Sequence, residues 1–408
     1  MAIGKFSLAA PRMIRFGNGT FSQIPSALSE LRAAQRAVSV VDERTAGEGC
    51  RALIVCGSSR RFIDELESYV EAAGIDSTVF PISGEPDLGL VDRGVQVARE
   101  FSAEMVIAIG GGSALDGAKA IAALCPNEGP ALDYLEVVGA GKPLKRPPLP
   151  VLAIPTTSGT GSEVTKNAVL SVPEKQVKVS LRDPGMIPAS VIVDPALTLN
   201  LPPAISAATG MDALTQLIEP WVSPMATPMT DGFCREGIPR AARALPKVCT
   251  DPGDIEARED MALASLLGGL ALANAKLGAV HGFAGPIGGM FPAAHGSICA
   301  ALLPAVMEVN FEALNRQTGN DPIINTALQR YLALGPMLCG NPSADAKDAI
   351  DMVRTLAGNL NIPGLGALGV DNRRIDEIIS KAKGASSMKG NPLALEDDQL
   401  RRILELSW

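Results

Sequence analysis

Short apolar runs alternate with helical stretches along the first half of the chain. The runs, such as MVIAI at residues 105–109, are typical of strands buried in a sheet. Alternating strands and helices of this length predict βαβ units and a parallel sheet. A charged, glycine-containing segment at residues 33–49 interrupts the pattern, and we interpret it as an inserted or remodelled segment. The predicted strands cover residues 13–16, 52–56, 78–82, 105–109, 149–154 and 191–193, and the predicted helices cover residues 23–31, 60–73, 90–101 and 114–124.

The pattern changes near residue 200. After Pro203, strand-like runs nearly disappear and long stretches rich in Ala, Leu and Met follow with helical spacing. The predicted fold class is therefore an α/β N-terminal domain with a parallel nucleotide-binding sheet, residues 1–201, followed by an all-α C-terminal domain, residues 202–408. Two short runs at residues 168–172 and 177–181 predict a hairpin. The predicted helices of the second half cover residues 205–222, 230–244, 254–277, 297–313, 344–357, 375–382 and 397–406.

Composition and charge narrow the class of protein. With 408 residues, 47% hydrophobic and 20% charged, the chain is expected to fold into two globular domains. Its net charge of −8 disfavours a nucleic-acid binder, which needs a basic face. Its seven cysteines are dispersed without a Cys-x-x-Cys pair, which indicates reduced thiols and a cytoplasmic location. No run of 18 apolar residues is present, so the sequence predicts no membrane association.

A glycine-rich loop follows the predicted strand at residues 105–109. Gly110, Gly111 and Gly112 allow the backbone to approach a ligand closely, and Ser113 opens a helix whose first N–H groups attract phosphate. Asp116, one turn into that helix, fits either an acid near a helix N-terminus or a contact with a ligand hydroxyl. The loop therefore predicts a phosphate-binding site, although the spacing differs from that of the common dinucleotide fingerprint.

A second loop follows the predicted strand at residues 149–154. The sequence PTTSGTGSEVTKN, residues 155–167, is dense in hydroxyl groups and includes Thr156, Thr157 and Thr160. Two such loops at the carboxyl ends of parallel strands lie where an open α/β sheet binds its ligand. Together they predict a pyrophosphate-containing nucleotide. After the first regular strand the sequence reads GSSRR instead of offering an acid for a ribose hydroxyl, so both NAD and NADP are left open.

Both histidines of the chain, His281 and His295, lie close together in the second half. A glycine-rich turn and a short apolar run are expected between them. Upstream, Asp212 and Gln216 are spaced i, i+4, which puts a carboxylate and an amide on one face of a helix. Two imidazoles, a carboxylate and an amide oxygen form a plausible set of four ligands for a divalent metal.

Five motifs in this order resemble the iron-containing (group III) alcohol dehydrogenase family, which shares the fold of dehydroquinate synthase. They are GGGSALDGAKAIA, PTTSGTGSEVT, DPALTLNLPP, TGMDALTQLIEPWVS and HGFAGPIGGMFPAAHG. The resemblance implies a cleft between the domains that holds metal, nicotinamide and substrate, and it also suggests a homodimer. It implies pyrophosphate binding at Gly111, Gly112 and Ser113, a second nucleotide loop at Thr156, Thr157 and Thr160, cofactor-facing Asn167 and Lys178, and metal ligands Asp212, His281 and His295.

The chain departs from the family pattern at two positions. Gln216 stands where the family commonly has a third metal-binding histidine, and a neutral amide is a weaker ligand than imidazole for Fe²⁺ or Zn²⁺. Gly285 stands where the family commonly has a second histidine that helps to relay the proton. The proton is therefore expected to leave through water, through the ribose hydroxyl and a loop threonine, or through another side chain.

The expected activity is hydride transfer between NAD(P)H and an alcohol, aldehyde or ketone, with Fe²⁺, Zn²⁺ or another divalent metal polarising the substrate oxygen. An alternative is a carbonyl reductase resembling maleylacetate reductase, which is regarded as not needing the metal. A less favoured alternative is a non-redox lyase resembling dehydroquinate synthase, whose site is rich in Lys, Arg and His. A regulatory protein that retains only the nucleotide loops is disfavoured by Asp212, His281 and His295.

Overall fold

The computed structural model describes residues 5–38, 50–317, 319 and 321–408. Within these residues six strands form one parallel sheet in the order β1-β8-β5-β4-β2-β3, and β6 and β7 form an antiparallel hairpin. The predicted parallel sheet and hairpin are therefore confirmed. The strands are β1 (Met13–Phe16), β2 (Cys50–Gly57), β3 (Ile75–Ile82), β4 (Met105–Gly110), β5 (Val151–Pro155), β6 (Asn167–Val172), β7 (Val177–Arg182) and β8 (Ser190–Val193).

Helices cover both faces of the parallel sheet, which explains why the two middle strands, β4 and β5, are apolar throughout. One face packs against residues such as Leu28 and Leu66, and the other packs against residues such as Val91 and Ile121. Asp87 caps the third of these helices, because its side chain accepts a hydrogen bond from Leu90 N at 2.7 Å. The four helices of this half are α1 (Ile24–Val38), α2 (Ile63–Ala72), α3 (Leu88–Glu100) and α4 (Gly112–Leu124).

From Pro203 onward the described regular elements are helices, in agreement with the predicted all-α second half. Their apolar faces share one core that includes Leu217, Phe283 and Leu303. These helices are α5 (Pro203–Val222), α6 (Pro228–Thr250), α7 (Ile255–Ala275), α8 (Ala279–Met290), α9 (His295–Arg316), α10 (Pro322–Cys339), α11 (Ala346–Asn359), α12 (Ile375–Gly384) and α13 (Asp397–Leu406).

The prediction of a glycine-rich turn after His281 is wrong, because these residues form helix α8. The glycines allow the helix to pack closely against the hairpin. A Cβ atom on Gly289 would lie 2.5 Å from the Cα of Val177, and one on Gly288 would lie 2.6 Å from Nζ of Lys178. Tertiary packing therefore outweighs the low helix propensity of glycine in this segment.

Two other helices differ from the prediction. Helix α10 was not expected, although Asp321 caps it by accepting a hydrogen bond from Ile323 N and Pro322 occupies its first turn. Helix α1 continues to Val38, beyond its predicted end at residue 31, so residues 33–38 are helical. The rest of the predicted inserted or remodelled segment, residues 39–49, lies outside the described residues.

Helix α9 is, within the described residues, long and apolar enough to cross a membrane, and α7 and α8 pass the same test only as a pair bent by 98°. However, 72% of the most apolar window of α9 is buried inside the protein. Cys299, Leu302 and Leu303 on this helix belong to the core of the helical half. The apolar character of α9 is therefore explained by its central position among the other helices.

Candidate active site

Three helices of the second half bring together the residues predicted to bind a metal. Helix α5 carries Asp212 and Gln216 on one face, α8 carries His281 near its start, and α9 begins at His295. Asp212 and Gln216 are only 1% and 2% exposed. His281 is also buried, whereas the side chain of His295 is 32% exposed. The cluster is therefore buried on the side of Asp212, Gln216 and His281, and it is accessible to small molecules on the side of His295.

The carboxylate of Asp212 faces both imidazoles. Its Oδ1 lies 3.4 Å from Nε2 of His281 and 3.9 Å from Nε2 of His295. Within the described part of the chain, this buried oxygen has no hydrogen-bond partner. An unpaired buried carboxylate oxygen is costly, and a bound cation would remove that cost.

Gln216 supports the carboxylate from the next turn of α5. Its Nε2 donates a hydrogen bond to Oδ2 of Asp212 at 3.0 Å. Its Oε1 is buried and, among the described residues, also has no hydrogen-bond partner. The amide therefore holds one carboxylate oxygen of Asp212 and still has an oxygen available for a ligand.

Glu219, one turn beyond Gln216 on the same helix, was not predicted as a site residue. Its Oε2 lies 2.6 Å from Nδ1 of His281, and its Oε1 accepts a hydrogen bond from Val280 N at 2.7 Å. A carboxylate on the second imidazole nitrogen is the usual support of a metal-binding histidine. The sequence contains a feature that could have identified Glu219. This residue lies seven positions after Asp212, and this spacing places both on the same face of α5.

Cys299 on α9 is the second residue that the sequence analysis missed. Its Sγ lies 3.6 Å from Nε2 of His295 and 3.8 Å from Nε2 of His281. The donor atoms of Asp212, His281, His295 and Cys299 all lie within 4.8 Å of one another. The missed signal was the i, i+4 spacing of His295 and Cys299, which parallels that of Asp212 and Gln216.

The electrostatics of this cluster favour positive charge. Burial alone would lower the pKa of His281, but Cys299, Glu219 and Asp212 raise this pKa well above its ordinary value. Burial alone would raise the pKa of Asp212, but its contacts with His281 and His295 lower it. The orphaned oxygens, the donor types and this charge balance all fit a divalent metal cation.

The two predicted nucleotide loops touch each other at the carboxyl ends of β4 and β5. A Cβ atom on Gly112 would lie 2.7 Å from Cγ2 of Thr160, and one on Gly111 would lie 3.3 Å from Oγ1 of Thr157. A side chain at position 112 would therefore collide with Thr160, and one at position 111 would be in tight contact with Thr157. The first turn of α4 therefore lies beside the side chains of Thr157 and Thr160. Its free backbone N–H groups are at the edge of the sheet where β4 and β5 end.

The second loop also reaches the metal-binding cluster. A Cβ atom on Gly159 would lie 2.8 Å from Cβ of Thr209, which lies one turn before Asp212 on α5. A Cβ atom on Gly296, the residue after His295, would lie 2.6 Å from the carbonyl oxygen of Ala208. Only one turn of α5 therefore separates the nucleotide loop from the metal-binding cluster.

Asp116 and Lys119 on α4 hold the second loop in place. Asp116 accepts hydrogen bonds from Oγ of Ser162 at 2.5 Å and from Val169 N at 2.9 Å. The amine of Lys119 is buried and donates to Oγ1 of Thr165 and to the carbonyl oxygens of Ser162 and Asn167. Lys119 is buried because the loop folds over it, which helical periodicity alone did not indicate.

The remaining predicted cofactor residues lie on the hairpin or close to the loops. Asn167 begins β6, and Lys178 lies on β7 with its Nζ 2.5 Å from Oε2 of Glu85. The side chain of Lys178 is only 6% exposed and lies against α8 at Gly288. Ser113 lies in the first turn of α4, and Thr156 N donates to the carbonyl oxygen of Gly110 at 2.9 Å.

Known proteins that are similar to this chain over most of its length are alcohol dehydrogenases and related oxidoreductases. Alcohol dehydrogenase 4 of Saccharomyces cerevisiae is 32% identical over 399 residues, covering 98% of this chain and 97% of that protein. Long-chain-alcohol dehydrogenase 1 of Geobacillus thermodenitrificans is 35% identical over 350 residues, covering 85% and 86% of the two chains. A crystal structure of 1,3-propanediol oxidoreductase superposes with a TM-score of 0.87 at 29% identity, covering 99% of this chain and 100% of that one.

A nucleotide-binding α/β half joined to a helical half with a buried cluster of carboxylate and imidazole groups defines the class of metal-assisted nicotinamide dehydrogenases. The family described as iron-containing alcohol dehydrogenase matches residues 35–195, and its C-terminal part matches residues 206–408. The chain belongs to this family and is an oxidoreductase that acts on alcohols. The predicted family, fold class and enzyme class are therefore confirmed.

Proposed function

We propose that the enzyme interconverts a primary alcohol and its aldehyde, with NAD or NADP as hydride carrier. We assign the divalent metal to Asp212, Gln216, His281 and His295. The observation that carries this assignment is the buried Oδ1 of Asp212, which has no hydrogen-bond partner among the described residues and faces both imidazoles within 4 Å. The substrate class is supported by similar proteins, which include a methanol dehydrogenase, a butanol dehydrogenase and a long-chain-alcohol dehydrogenase.

The bound metal would polarise the substrate oxygen as a Lewis acid. The protein's own contribution is orientation. Glu219 holds a hydrogen bond at Nδ1 of His281, which leaves Nε2 directed toward Asp212. Gln216 fixes Oδ2 of Asp212, so that Oδ1 faces the two histidines. The apolar packing of α5, α8 and α9 around these groups excludes water from the inner side of the cluster.

We propose that the dinucleotide binds along the edge where β4 and β5 end. The contact of Thr157 and Thr160 with the glycine loop supports this placement, because it forms one continuous surface for a pyrophosphate. Asp116 and Lys119 are positioning residues under this surface. The proposed cofactor-binding residues are Gly111, Gly112, Ser113, Thr156, Thr157, Thr160, Asn167 and Lys178, with Asp116 acting through Ser162.

The proton must leave without a histidine at position 285. Among the described residues, a Cβ atom on Gly285 would have one neighbour within 4 Å, the carbonyl oxygen of Lys178 at 3.8 Å, so this side of α8 has room for water or for part of the substrate. We propose that the proton passes to solvent through that space or through a ribose hydroxyl and a loop threonine.

Three further features belong to this proposal. We place the domain boundary between residues 201 and 202, because the last described strand ends at Val193 and α5 begins at Pro203.

We propose a homodimer that forms through β1, an edge strand on which Met13 and Phe16 are exposed. A cytoplasmic location is supported by the buried thiol of Cys299 beside two imidazoles, which suits a reducing compartment.

The first experiment measures metal per chain in anaerobically purified enzyme and assays aldehyde reduction with NADH and with NADPH. We expect about one metal per chain and activity that is lost on chelation and restored by metal. Asp212→Ala should abolish both metal and turnover, whereas Asp260→Asn, which removes a surface carboxylate paired with Arg240 and Arg243, should change neither. Ketone reduction that survives chelation in metal-free enzyme would instead support the maleylacetate-reductase-like alternative.

A further inference from the structure

Cys299 lies where a metal ligand is needed. The family pattern of three imidazoles and one carboxylate is reduced here to two imidazoles and one carboxylate, with a neutral amide at Gln216. The sulfur atom of Cys299 faces Nε2 of both remaining histidines from the next turn of α9. We propose that the thiolate of Cys299 is a ligand of the catalytic metal and takes the place of the missing imidazole. This inference rests on the proposed function, because it requires that a metal binds at this cluster.

The distances between the donor atoms carry the inference. Zinc binds sulfur at about 2.3 Å and nitrogen or oxygen at about 2.0–2.2 Å, so two ligands at a tetrahedral angle lie roughly 3.4–3.6 Å apart. The sulfur of Cys299 is 3.6 Å and 3.8 Å from the two Nε2 atoms, and Oδ1 of Asp212 is 3.4 Å and 3.9 Å from them. Four of the six distances among these donor atoms therefore already lie near the spacing of a tetrahedral site, and the other two are no longer than 4.8 Å.

A second observation, independent of the cysteine, points to a cation at the same place. Oδ1 of Asp212 is unpaired among the described residues and belongs to a residue that is only 1% exposed, and the donor atoms of Asp212 and Cys299 lie within 4.8 Å of each other. A hydrogen bond between the thiol and an imidazole would explain the position of Cys299 but not the orphaned carboxylate oxygen. One cation among these donors explains both.

Gln216 then has a supporting role in addition to weak ligation. Its Nε2 donates to Oδ2 of Asp212, which orients the carboxylate, and its Oε1 remains as a fifth, neutral donor. A thiolate binds Zn²⁺ and Fe²⁺ far more strongly than an amide oxygen does. Coordination releases the thiol proton to solvent, and the resulting sulfur, two nitrogens and carboxylate should reject Mg²⁺ and Mn²⁺.

The direct test is X-ray absorption at the zinc edge of the full-length enzyme loaded with one Zn²⁺ per chain. We expect one sulfur scatterer at about 2.3 Å together with nitrogen and oxygen at about 2.0–2.1 Å. Replacing zinc by Co²⁺ should produce a thiolate-to-cobalt charge-transfer band in the near ultraviolet. Both readouts use the unmodified chain and do not depend on the folding of a variant.

Variants of the enzyme then test whether the sulfur ligand belongs to Cys299. Cys299→Ser and Cys299→Ala should remove the sulfur shell and the cobalt band and weaken zinc binding at least about 100-fold, beyond the 10–100-fold typical of supporting residues. Gln216→Ala should weaken zinc binding less. Cys234→Ala is the matched control, because Cys234 is a fully buried thiol on α6 outside the cluster, and it should keep all three properties.

The outcomes separate this inference from the proposed function. Bound zinc with chelator-sensitive aldehyde reduction but only nitrogen and oxygen scatterers overturns the role of Cys299 and leaves the metal-dependent dehydrogenase intact. Failure of the chain to bind zinc, iron or cobalt overturns both. A sulfur shell that survives in Cys299→Ser also overturns the assignment to this residue.

Discussion

Glu219 and His281 form a buried pair in which the carboxylate Oε2 lies 2.6 Å from the imidazole Nδ1. The other carboxylate oxygen accepts a hydrogen bond from the backbone N–H of Val280. One side chain therefore orients the imidazole and also satisfies an N–H group in the first turn of α8. Because these two tasks each need an acceptor, the carboxylate cannot be replaced by a group with one acceptor.

The first prediction concerns Glu219→Gln. An amide has one acceptor oxygen, so either Val280 N–H or Nδ1–H of His281 loses its partner. We expect metal affinity to fall about 10–100-fold, as is typical when the support of a metal-binding histidine is removed. Metal titration by calorimetry measures the change, and the affinity for NADH serves as an internal control. Unchanged metal affinity would contradict the assigned role of this carboxylate.

The second prediction compares Gly285→Ala with Gly289→Ala on the same helix. The new Cβ at position 285 meets only one atom, at 3.8 Å, whereas at position 289 it would lie 2.5 Å from the Cα of Val177. Gly285→Ala should stabilise the protein by about 0.4–1 kcal/mol, and Gly289→Ala should destabilise it by about 1–3 kcal/mol. Urea unfolding of the two variants measures the difference, and equal midpoints would argue against close packing of α8 on β7.

The third prediction concerns Gln216→His, which restores an imidazole at the position where the family commonly has one. The site then offers three nitrogens, and imidazole is the stronger ligand for Zn²⁺ and Fe²⁺. We expect metal to be retained at chelator concentrations that strip the wild-type enzyme. The readout is metal remaining after dialysis against graded chelator. Loss of metal in this variant at lower chelator concentrations would show that the amide of Gln216 is needed to orient Asp212.

The fourth prediction concerns the dependence of stability on pH. Burial raises the pKa of Glu163 from its ordinary value of 4.5 to about 7, while the nearby Lys119 opposes this shift. Because the folded state then binds the proton more tightly than the unfolded state, stability falls as pH rises from about 4.5 to about 7. The loss for this one group is on the order of 3 kcal/mol.

Glu163→Gln keeps the shape of the side chain and removes its titration. We expect the difference in unfolding free energy between wild type and variant to change between pH 5 and pH 8, with wild type losing stability relative to the variant. Urea unfolding at the two pH values tests this. Parallel pH profiles of the two proteins would refute the raised pKa.

The sequence predicted the sheet, the hairpin and most helices because their apolar periodicities are local and unambiguous. It failed at α8, where glycine content suggested a turn. The reason for those glycines is the close approach of Val177 and Lys178, which are more than 100 residues away along the chain. The sequence also does not indicate that Lys119 is buried, because the burial of this amine depends on a loop that folds over it.

The candidate site was predictable in part. Asp212, Gln216, His281 and His295 were found from residue type and spacing, and the structure brings them together. Glu219 and Cys299 were not predicted, because a single acid or thiol on an apolar helix does not by itself indicate a functional site. Both were one or two turns from a named residue on the same helix face, so helix geometry around each candidate ligand would have found them.

The cluster is built from helices that are far apart in sequence, with α6 and α7 between Gln216 and His281. It therefore does not exist in the unfolded chain, and metal uptake must follow the packing of α9 onto α5. A bound ion closes the chain from Asp212 to His295 into a ring that encloses an entire helical hairpin. The enzyme without metal should thus open first at this ring, so that metal starvation would make the helical half the earliest target of proteolysis.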